Sequence, residues 1–250
     1  MNILNLTTAI ALLSAPMASD EIKPHALYQP VALPMVCQVE KAPKINVRPM
    51  TANIRYDKSK TSAELSQLKT STVSPYGLGV DQTTGGLRHD QPTIETTMRF
   101  LIQQDSRSGS ICLSYDTINV DIKLQPKIYI AREFNTGRCA REVLAHEKKH
   151  VAVDRAVINK YAKKMGTAIQ QAVNKAGALG PFPAHRQDEI QAMMQQNISS
   201  ALNSVTLALT NEMNIRQQEI DSREEYDRVG QYCEKNARRA FKAQHRHRHR

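Results

Sequence analysis

The spacing of apolar residues changes once along this chain, and the change limits the folds that the chain can adopt. Between residues 30 and 135, apolar and polar residues alternate in several short stretches. In the clearest of them, apolar residues occupy every second position: Ile118, Val120, Ile122 and Leu124. A period of two is typical of half-buried antiparallel strands. This first half of the chain is therefore predicted to be rich in strands.

Beyond residue 137 the apolar residues recur every three or four positions, which predicts long helices. The first helix is predicted from Cys139 to about residue 176, and the second from about Arg186 to about Arg228. The residues between them disfavour a continuous helix: Gly177, Gly180, Pro181 and Pro183. We therefore expect an α+β fold, in which the strand-rich half, residues 30–135, packs against a long antiparallel helix pair within residues 137–233.

The N-terminal segment, residues 1–19, is a short apolar run followed by small residues and by the first charge at Asp20. This pattern indicates a signal peptide, and the run is too short to serve as a transmembrane anchor. No Lys or Arg precedes the apolar run, and a loosely packed N-terminal helix is the alternative. We expect a secreted or periplasmic protein.

All four cysteines lie beyond this segment, at Cys37, Cys112, Cys139 and Cys233. An even count in an exported chain predicts two disulfides, whereas four buried free thiols are the alternative. Of the three connectivities, the proximity of the segments favours Cys37 with Cys112 in the strand-rich half. Cys139 would then pair with Cys233, between the two ends of the helical half.

The formal charge is +10, from 34 basic and 24 acidic residues, but much of the excess lies in the basic tail, residues 234–250. We expect this tail, which ends in "HRHRHR", to be disordered and able to contact an anionic surface. A specific nucleic-acid partner is not expected, because aromatic residues make up only 5% of the chain and the charge is not spread over a folded face.

The first predicted helix contains the stretch "REVLAHEKKHVAVDR", with His146, Glu147 and His150. Residues four apart share one face of a helix, so both imidazoles can bind the same metal ion. Zinc binds two histidines and a third protein ligand and keeps a fourth position for water. Glu147 would then act as general base in peptide-bond hydrolysis. The alternative is an ordinary solvent-exposed helical turn.

The strand-rich half, the "HEKKH" helix and a late "REEYDRVG" together resemble a family of bacterial domains of unknown function described as secreted zinc-dependent proteases. The resemblance covers about residues 35–233 and rests on His146, Glu147, His150, Tyr226 and Asp227. It implies a zincin-like site. In that family the Tyr-Asp pair is followed by a threonine and a histidine, which are missing here after Asp227. A different third ligand is therefore needed.

The third ligand can be predicted by folding the two helices into an antiparallel hairpin. A turn centred near Pro181 places Glu212 or Glu219 opposite the histidines, whereas a centre near residue 187 places Glu224 or Asp227 there. The second geometry agrees with the resemblance, so Asp227 is favoured. Tyr226 would then donate a hydrogen bond to the oxyanion. Asp154 lies too far along the helix to bind the metal but could orient His150.

Two functions follow from these patterns. The favoured one is a zinc-dependent metallopeptidase that hydrolyses a peptide or protein substrate, with His146 and His150 as zinc ligands and Glu147 as general base. The alternative is a non-catalytic exported envelope protein that binds zinc weakly or structurally and contacts anionic surfaces through its tail. The intact Glu147 favours the enzyme, and the missing late histidine favours the binding protein.

Overall fold

The computed structural model describes residues 35–68, 72–77 and 83–248, with side chains described as far as residue 239. The predicted signal peptide, residues 1–19, lies outside this part of the chain. The elements, in chain order, are β1 (Lys44–Thr51), β2 (Arg55–Asp57), α1 (Ser62–Ser66), β3 (Gly86–His89), β4 (Thr93–Gln104), β5 (Ser110–Leu124), β6 (Lys127–Ile130), α2 (Gly137–Ala176), β7 (Leu179–Pro183), α3 (Gln187–Ile220) and α4 (Arg223–Arg248).

The strands form two mixed sheets. The larger has the order β1-β5-β4, with β7 also paired to β5, and the smaller has the order β2-β6-β3. Strand β5 runs antiparallel to β4 and β7 but parallel to β1, and β6 is likewise antiparallel to β3 and parallel to β2. The α+β class is confirmed, although the sheets are not purely antiparallel as the alternation of β5 had predicted.

The main core lies between the larger sheet and the helices α2 and α3. The alternating residues of β5 are all fully buried, as their period of two predicted: Ile118, Val120, Ile122 and Leu124. They belong to one apolar cluster with Ile158 and Met165 of α2 and with Ile198 of α3. A second cluster under the smaller sheet joins Ile128 and Ile130 to the first turns of α2.

The second predicted helix does not continue to Arg228. Helix α3 ends at Ile220, and α4 begins at Arg223 after a break at Asp221 and Ser222. Ser222 caps the new helix, since its hydroxyl oxygen accepts a hydrogen bond of 3.3 Å from the Glu225 N–H. Ser222 and Glu225 have the spacing of an N-terminal capping box, so the break carried a signal in the sequence.

The basic tail that was predicted to be disordered from residue 234 is helical as far as Arg248. Contacts with the start of α2 and with the turn that precedes it hold this helix. The Asn236 side chain donates a 2.6 Å hydrogen bond to the Glu133 carbonyl, and the Arg138 guanidinium lies 3.7 Å from the centroid of the Tyr232 ring. A helix anchored in this way can propagate through the Ala-, Arg- and Lys-rich residues that follow.

Both predicted disulfides are confirmed. Cys37 is bonded to Cys112 at the start of β5, and Cys139 in the first turn of α2 is bonded to Cys233 in α4. Each bond joins segments far apart in sequence, with separations of 75 and 94 residues. Of the helices that the structure describes, none is both long and apolar enough to cross a membrane.

Candidate metal centre

Helix α2 and the α3–α4 junction bring four buried polar residues together. His146, Glu147 and His150 of α2 are 8%, 5% and 6% exposed. Asp221, which lies in the break after α3, is 4% exposed. Burying this many ionisable groups is unfavourable unless they are paired or bind a metal. The cluster therefore needs a specific explanation.

Three ligand atoms of this cluster converge on one point. The two imidazole Nε2 atoms of His146 and His150 lie 3.2 Å apart. The Asp221 Oδ1 atom lies 3.2 Å from the Nε2 of His146 and 3.1 Å from that of His150. These three residues form the one group of histidine, cysteine and acidic side chains in the described part of the chain that is spaced to hold a metal ion.

The partner of His150 fixes its tautomer. Its Nδ1 atom contacts the Gln217 Oε1 atom. The Gln217 amide nitrogen donates to Asp154 Oδ1 at 2.6 Å and to the His150 carbonyl at 3.1 Å, and both of those oxygens accept from it. The Gln217 amide oxygen must therefore face the imidazole. Because an amide oxygen only accepts, the His150 Nδ1 carries a proton, and in the neutral imidazole the Nε2 then presents a lone pair.

The same argument applies to His146. Its Nδ1 atom lies 3.3 Å from Glu225 Oε1, which also accepts from the Lys149 ammonium at 2.7 Å and from the Arg228 guanidinium at 2.9 Å. The Arg228 hydrogen bond lowers the pKa of Glu225 to about 2 despite partial burial, with support from Lys149 and His146. Glu225 is therefore an ionised acceptor, and His146 also directs an Nε2 lone pair toward the centre.

Two imidazole nitrogens and a carboxylate oxygen thus lie within about one hydrogen-bond length of each other, and either a proton or a metal ion between them would offset their repulsion. Tetrahedral zinc with bonds of about 2.0–2.1 Å separates its ligands by about 3.3–3.4 Å, close to the separations found here. The donor set of two histidines and one carboxylate is also one that zinc favours. The residues present therefore fit a zinc ion in chemistry and in spacing.

Protons compete with a metal for these atoms. Burial opposes the charged form of His150, but contact with Asp221 and the charge of Glu147 raise its pKa overall. Burial would also raise the pKa of Asp221, yet contacts with His146 and His150, together with a Thr72 hydrogen bond, hold it well below its usual range. Asp221 is therefore ionised and ready to bind a cation.

The side chain of Glu147 extends from α2 to β3. Its carboxylate accepts a hydrogen bond from the Arg88 backbone N–H, and burial raises its pKa while the neighbouring histidines oppose the shift. Strand β3 can come this close because residue 86 is glycine. A Cβ atom there would lie 2.5 Å from Val143 Cγ1 and 2.8 Å from Glu147 Oε1. The approach of β3 to the helix therefore depends on Gly86.

A chain of buried side chains supports His150 from behind. Gln217 links the imidazole to Asp154, which is fully buried and forms two 2.6 Å hydrogen bonds with Arg88 of β3. Burial raises the pKa of Asp154, and the Arg88 pairing opposes that shift. Asp154 was predicted to orient His150, and it contacts the imidazole through Gln217 rather than directly. Gln217 itself was not predicted.

The predicted third ligand is corrected by the geometry. Asp227 contacts the Tyr76 hydroxyl instead of the histidines, and Glu212 pairs with Lys160. Glu219 and Glu224 are exposed. The residue that reaches the histidines is Asp221. The prediction assumed one helix through residue 228, whereas the break after Ile220 turns the chain and brings Asp221 inward.

Tyr226, the predicted oxyanion donor, lies beside His146. Its ring packs edge-to-face against His146, with 5.8 Å between ring centroids, and also contacts Tyr76 at 6.3 Å. Burial and the charges of Asp221 and Glu147 raise the pKa of Tyr226. The hydroxyl therefore stays protonated and can donate a hydrogen bond at neutral pH.

These residues form the base of an open cleft of about 1030 Å³. Its walls come from β3 and the residues after it, from the segment 72–74, and from the last turns of α3. The main chain of Val73 is held in the wall by two hydrogen bonds with the Gln218 side chain, of 2.8 and 3.1 Å. The candidate site is therefore reachable from solvent although its individual residues are buried.

Comparisons with protein-family models, with curated proteins and with solved structures found no match for this chain. The resemblance to secreted zinc-dependent proteases therefore stays a prediction.

Proposed function

We propose that this protein is a zinc-dependent peptidase. The observation that carries the proposal is the convergence of two Nε2 lone pairs and the Asp221 carboxylate at the base of a cleft, with Glu147 and Tyr226 beside them. His146, His150 and Asp221 would hold the ion. When bound, zinc would supply Lewis-acid chemistry, polarising the substrate carbonyl and making water a better nucleophile at neutral pH.

Glu147 has the position and the environment of a general base. It follows His146 on the helix and lines the cleft. Burial raises its pKa from that of an ordinary glutamate, which improves its ability to take a proton from the attacking water. The Arg88 N–H fixes the carboxylate in place. The same carboxylate can then pass the proton to the leaving amine nitrogen.

Tyr226 is the proposed donor to the oxyanion that forms when the carbonyl is attacked. Its ring is held against His146, and its hydroxyl keeps its proton because burial and nearby carboxylates raise its pKa. A donor already in position stabilises developing negative charge without reorganisation during the reaction.

Strand β3 offers an edge along which a peptide backbone can align. The Gly85 carbonyl accepts a 2.8 Å hydrogen bond from the Ala131 N–H. Leu87 and His89, the odd-numbered residues of β3, therefore direct their backbone N–H and C=O groups toward β6. In an antiparallel pair the alternate residues, Gly86 and Arg88, then direct their backbone groups outward, where the Arg88 N–H bonds Glu147. An extended substrate could pair with the other outward groups of this edge, beside Glu147.

We further propose export to the periplasm or the exterior. Two disulfides fit an oxidising compartment. The apolar segment of residues 1–19 supports the same location as a signal peptide.

A second candidate function is a structural zinc clamp in a non-catalytic exported protein, which would contact anionic surfaces through its basic tail. The specific observation in its favour is the position of the ligands: two lie on α2 and one lies between α3 and α4, so a bound ion would fasten three helices. The nearly complete burial of Glu147 also suits a structural role. The two functions differ in whether Glu147 is needed for turnover.

The experiment that tests the proposal measures zinc content and peptidase activity in one set of variants. All carry the tail substitutions His245→Gln, His247→Gln and His249→Gln, so that tail histidines do not bind metal. We expect about one zinc per chain, lost in Asp221→Asn and retained in the matched variant Asp227→Asn. Glu147→Gln should keep its zinc and lose cleavage of a quenched-peptide library.

Two results would overturn parts of this proposal. A parent protein that binds no stoichiometric zinc, or that loses none in Asp221→Asn, would remove the metal centre. A parent protein with one zinc per chain but no cleavage of the library would support the structural clamp instead.

A further inference from the structure

One end of the cleft is basic. It is lined by Arg55, Lys123 and Lys127, which lie where β1 passes into β2 and β5 passes into β6. We call these three residues the basic end. Arg55 and Lys127 are direct partners across β2 and β6, and Lys127 is the partner of His89 on β3. The basic end is thus tied by strand register to the strand that borders Glu147.

The charges of the basic end are only partly offset. Lys127 pairs with Asp57 at 2.8 Å and Lys123 with Glu95, but neither of those carboxylates lines the cleft. Within the described part of the chain Arg55 has no ion-pair partner. The Lys127 and Lys123 side chains remain 30% and 34% exposed, so a bound group can reach them. This end of the cleft therefore presents the unbalanced positive charge of Arg55 beside two ion-paired lysines.

Asp90 is the carboxylate that lines the cleft near this end. Its Oδ2 atom is buried without a hydrogen-bond partner in the described structure, and burial raises its pKa. Arg88 bonds the Asp90 backbone carbonyl and is already paired through its guanidinium with Asp154. Burial favours the neutral form of Asp90, which limits how much of the positive charge it cancels.

The register of β3 indicates how far the basic end lies from Glu147. The Glu147 carboxylate contacts this strand from Gly86 to the Arg88 N–H, and His89 is level with Lys127 and Arg55. An extended strand advances about 3.3 Å per residue, so the basic end lies one to three residues, or about 3–10 Å, further along β3 than Glu147. A substrate lying along β3 would place a residue one to three positions from the cleaved bond level with the basic end.

We propose that the cleft selects peptides with an acidic side chain one to three residues from the cleaved bond, and that Arg55, Lys123 and Lys127 receive its carboxylate. This inference rests on the proposed peptidase function. It adds a substrate class: extended peptides with Asp or Glu close to the site of hydrolysis and on one side of it.

The cleavage test uses quenched peptides with amidated C-termini, randomised at every position except one fixed as Glu, Gln or Lys. We expect Glu to be favoured over Lys by about fivefold or more at one position within three residues of the cleaved bond, as for a partly exposed ion pair. The side on which the preference appears reports the direction of the substrate along β3. Equal cleavage of the three libraries would overturn the inference while leaving the peptidase intact.

A second measurement keeps acid recognition distinct from catalysis. The zinc-loaded Glu147→Gln protein is titrated with fluorescent nonapeptides that differ only in Glu or Lys at the central position, and binding is followed by anisotropy. Tighter binding of the Glu peptide, lost on adding Arg55→Glu, would support the basic end even if turnover failed. Arg107→Glu is the matched control, since Arg107 lies in the turn after β4 and outside the cleft.

Two outcomes would contradict the inference. The Glu and Lys peptides could bind the Glu147→Gln protein equally, or Arg55→Glu could leave a Glu preference unchanged. A preference that required a free C-terminus would show that a terminal carboxylate, and not an acidic side chain, is the group recognised.

Discussion

The two ends of helix α2 are buried in different ways. Toward its C-terminus the helix meets the larger sheet through apolar residues such as Ile158 and Met165, which are fully buried. Toward its N-terminus it meets the smaller sheet through Glu147 and Asp154 and the α3–α4 junction through His146, and these three residues are buried but ionisable. One helix thus supplies a packing segment and a chemical segment, because its two ends have different neighbours.

The difference shows how ionisable groups can be buried although burial disfavours their charged forms. In the chemical segment each buried ionisable residue has a defined partner: Glu225 for His146, Gln217 for His150 and Arg88 for Asp154. Groups that are fully hydrogen-bonded tolerate burial, whereas those left unpaired do not. The apolar segment needs no such network, and it contributes stability in proportion to the area it buries. Mutations in the two segments should therefore have separable effects.

The largest effect is expected from Glu147→Gln in the chemical segment. Removing a general base should lower kcat/KM by about 10²- to 10⁴-fold, because the amide cannot accept the proton from the attacking water. Zinc content should stay at one per chain. Steady-state cleavage of a quenched peptide and metal analysis provide the two measurements. Glu219→Gln, at an exposed position of α3, is the matched control and should behave as the parent.

The next effect is expected in the packing segment. Ile158→Ala should lower the free energy of unfolding by about 2–5 kcal/mol, because it leaves a cavity between α2 and the larger sheet. Zinc stoichiometry of the folded protein should not change. Denaturant titration measures the first and metal analysis the second. Ile215→Ala, at a site that is 62% exposed, should change stability by less than about 0.5 kcal/mol. Loss of zinc from folded Ile158→Ala would show that the two segments are not separable.

A smaller effect is expected for Gln217→Ala, which removes the partner of the His150 Nδ1 atom. Loss of such support behind a ligand should weaken zinc affinity by about 10- to 100-fold, measured by competition with a chromophoric chelator. Gln170→Ala, on the exposed surface of α2, is the comparison. An unchanged zinc affinity in Gln217→Ala would contradict the role assigned to this side chain.

The smallest effect is expected at the helix break. Ser222→Ala removes the cap of α4 and should lower the free energy of unfolding by about 1 kcal/mol. Because Asp221 precedes the cap, zinc affinity should fall as well. Asparagine also caps helices well, so Ser222→Asn should restore both quantities. Thermal unfolding of the zinc-free and zinc-loaded proteins separates the two contributions.

The parts of the site that the sequence predicted are local. His146, Glu147 and His150 lie within one turn of a helix, where spacing alone determines which side chains share a face. Asp221 depends on where α3 ends, and a shift of the helix boundary by a few residues changes which acid faces inward. The capping spacing of Ser222 and Glu225 was the signal for that boundary, and it was obscured by the continuous polar helix composition around it.

Strand β3 was missed for a related reason. Its four residues begin with a glycine and follow another, so the segment resembles a loop. Its extended form depends on pairing with β6 and on the close approach to Glu147, and both are contacts between distant parts of the chain. The disulfide pairings were predicted because each joins segments within one half of the fold.

The Cys139–Cys233 bond encloses all three ligands in one covalent ring, since His146, His150 and Asp221 lie between the two cysteines. A single peptide bond cut anywhere inside that ring would open the chain without releasing either fragment. For the exported peptidase proposed above, which would meet other proteases, the ring means that one cut leaves His146, His150 and Asp221 in the same molecule.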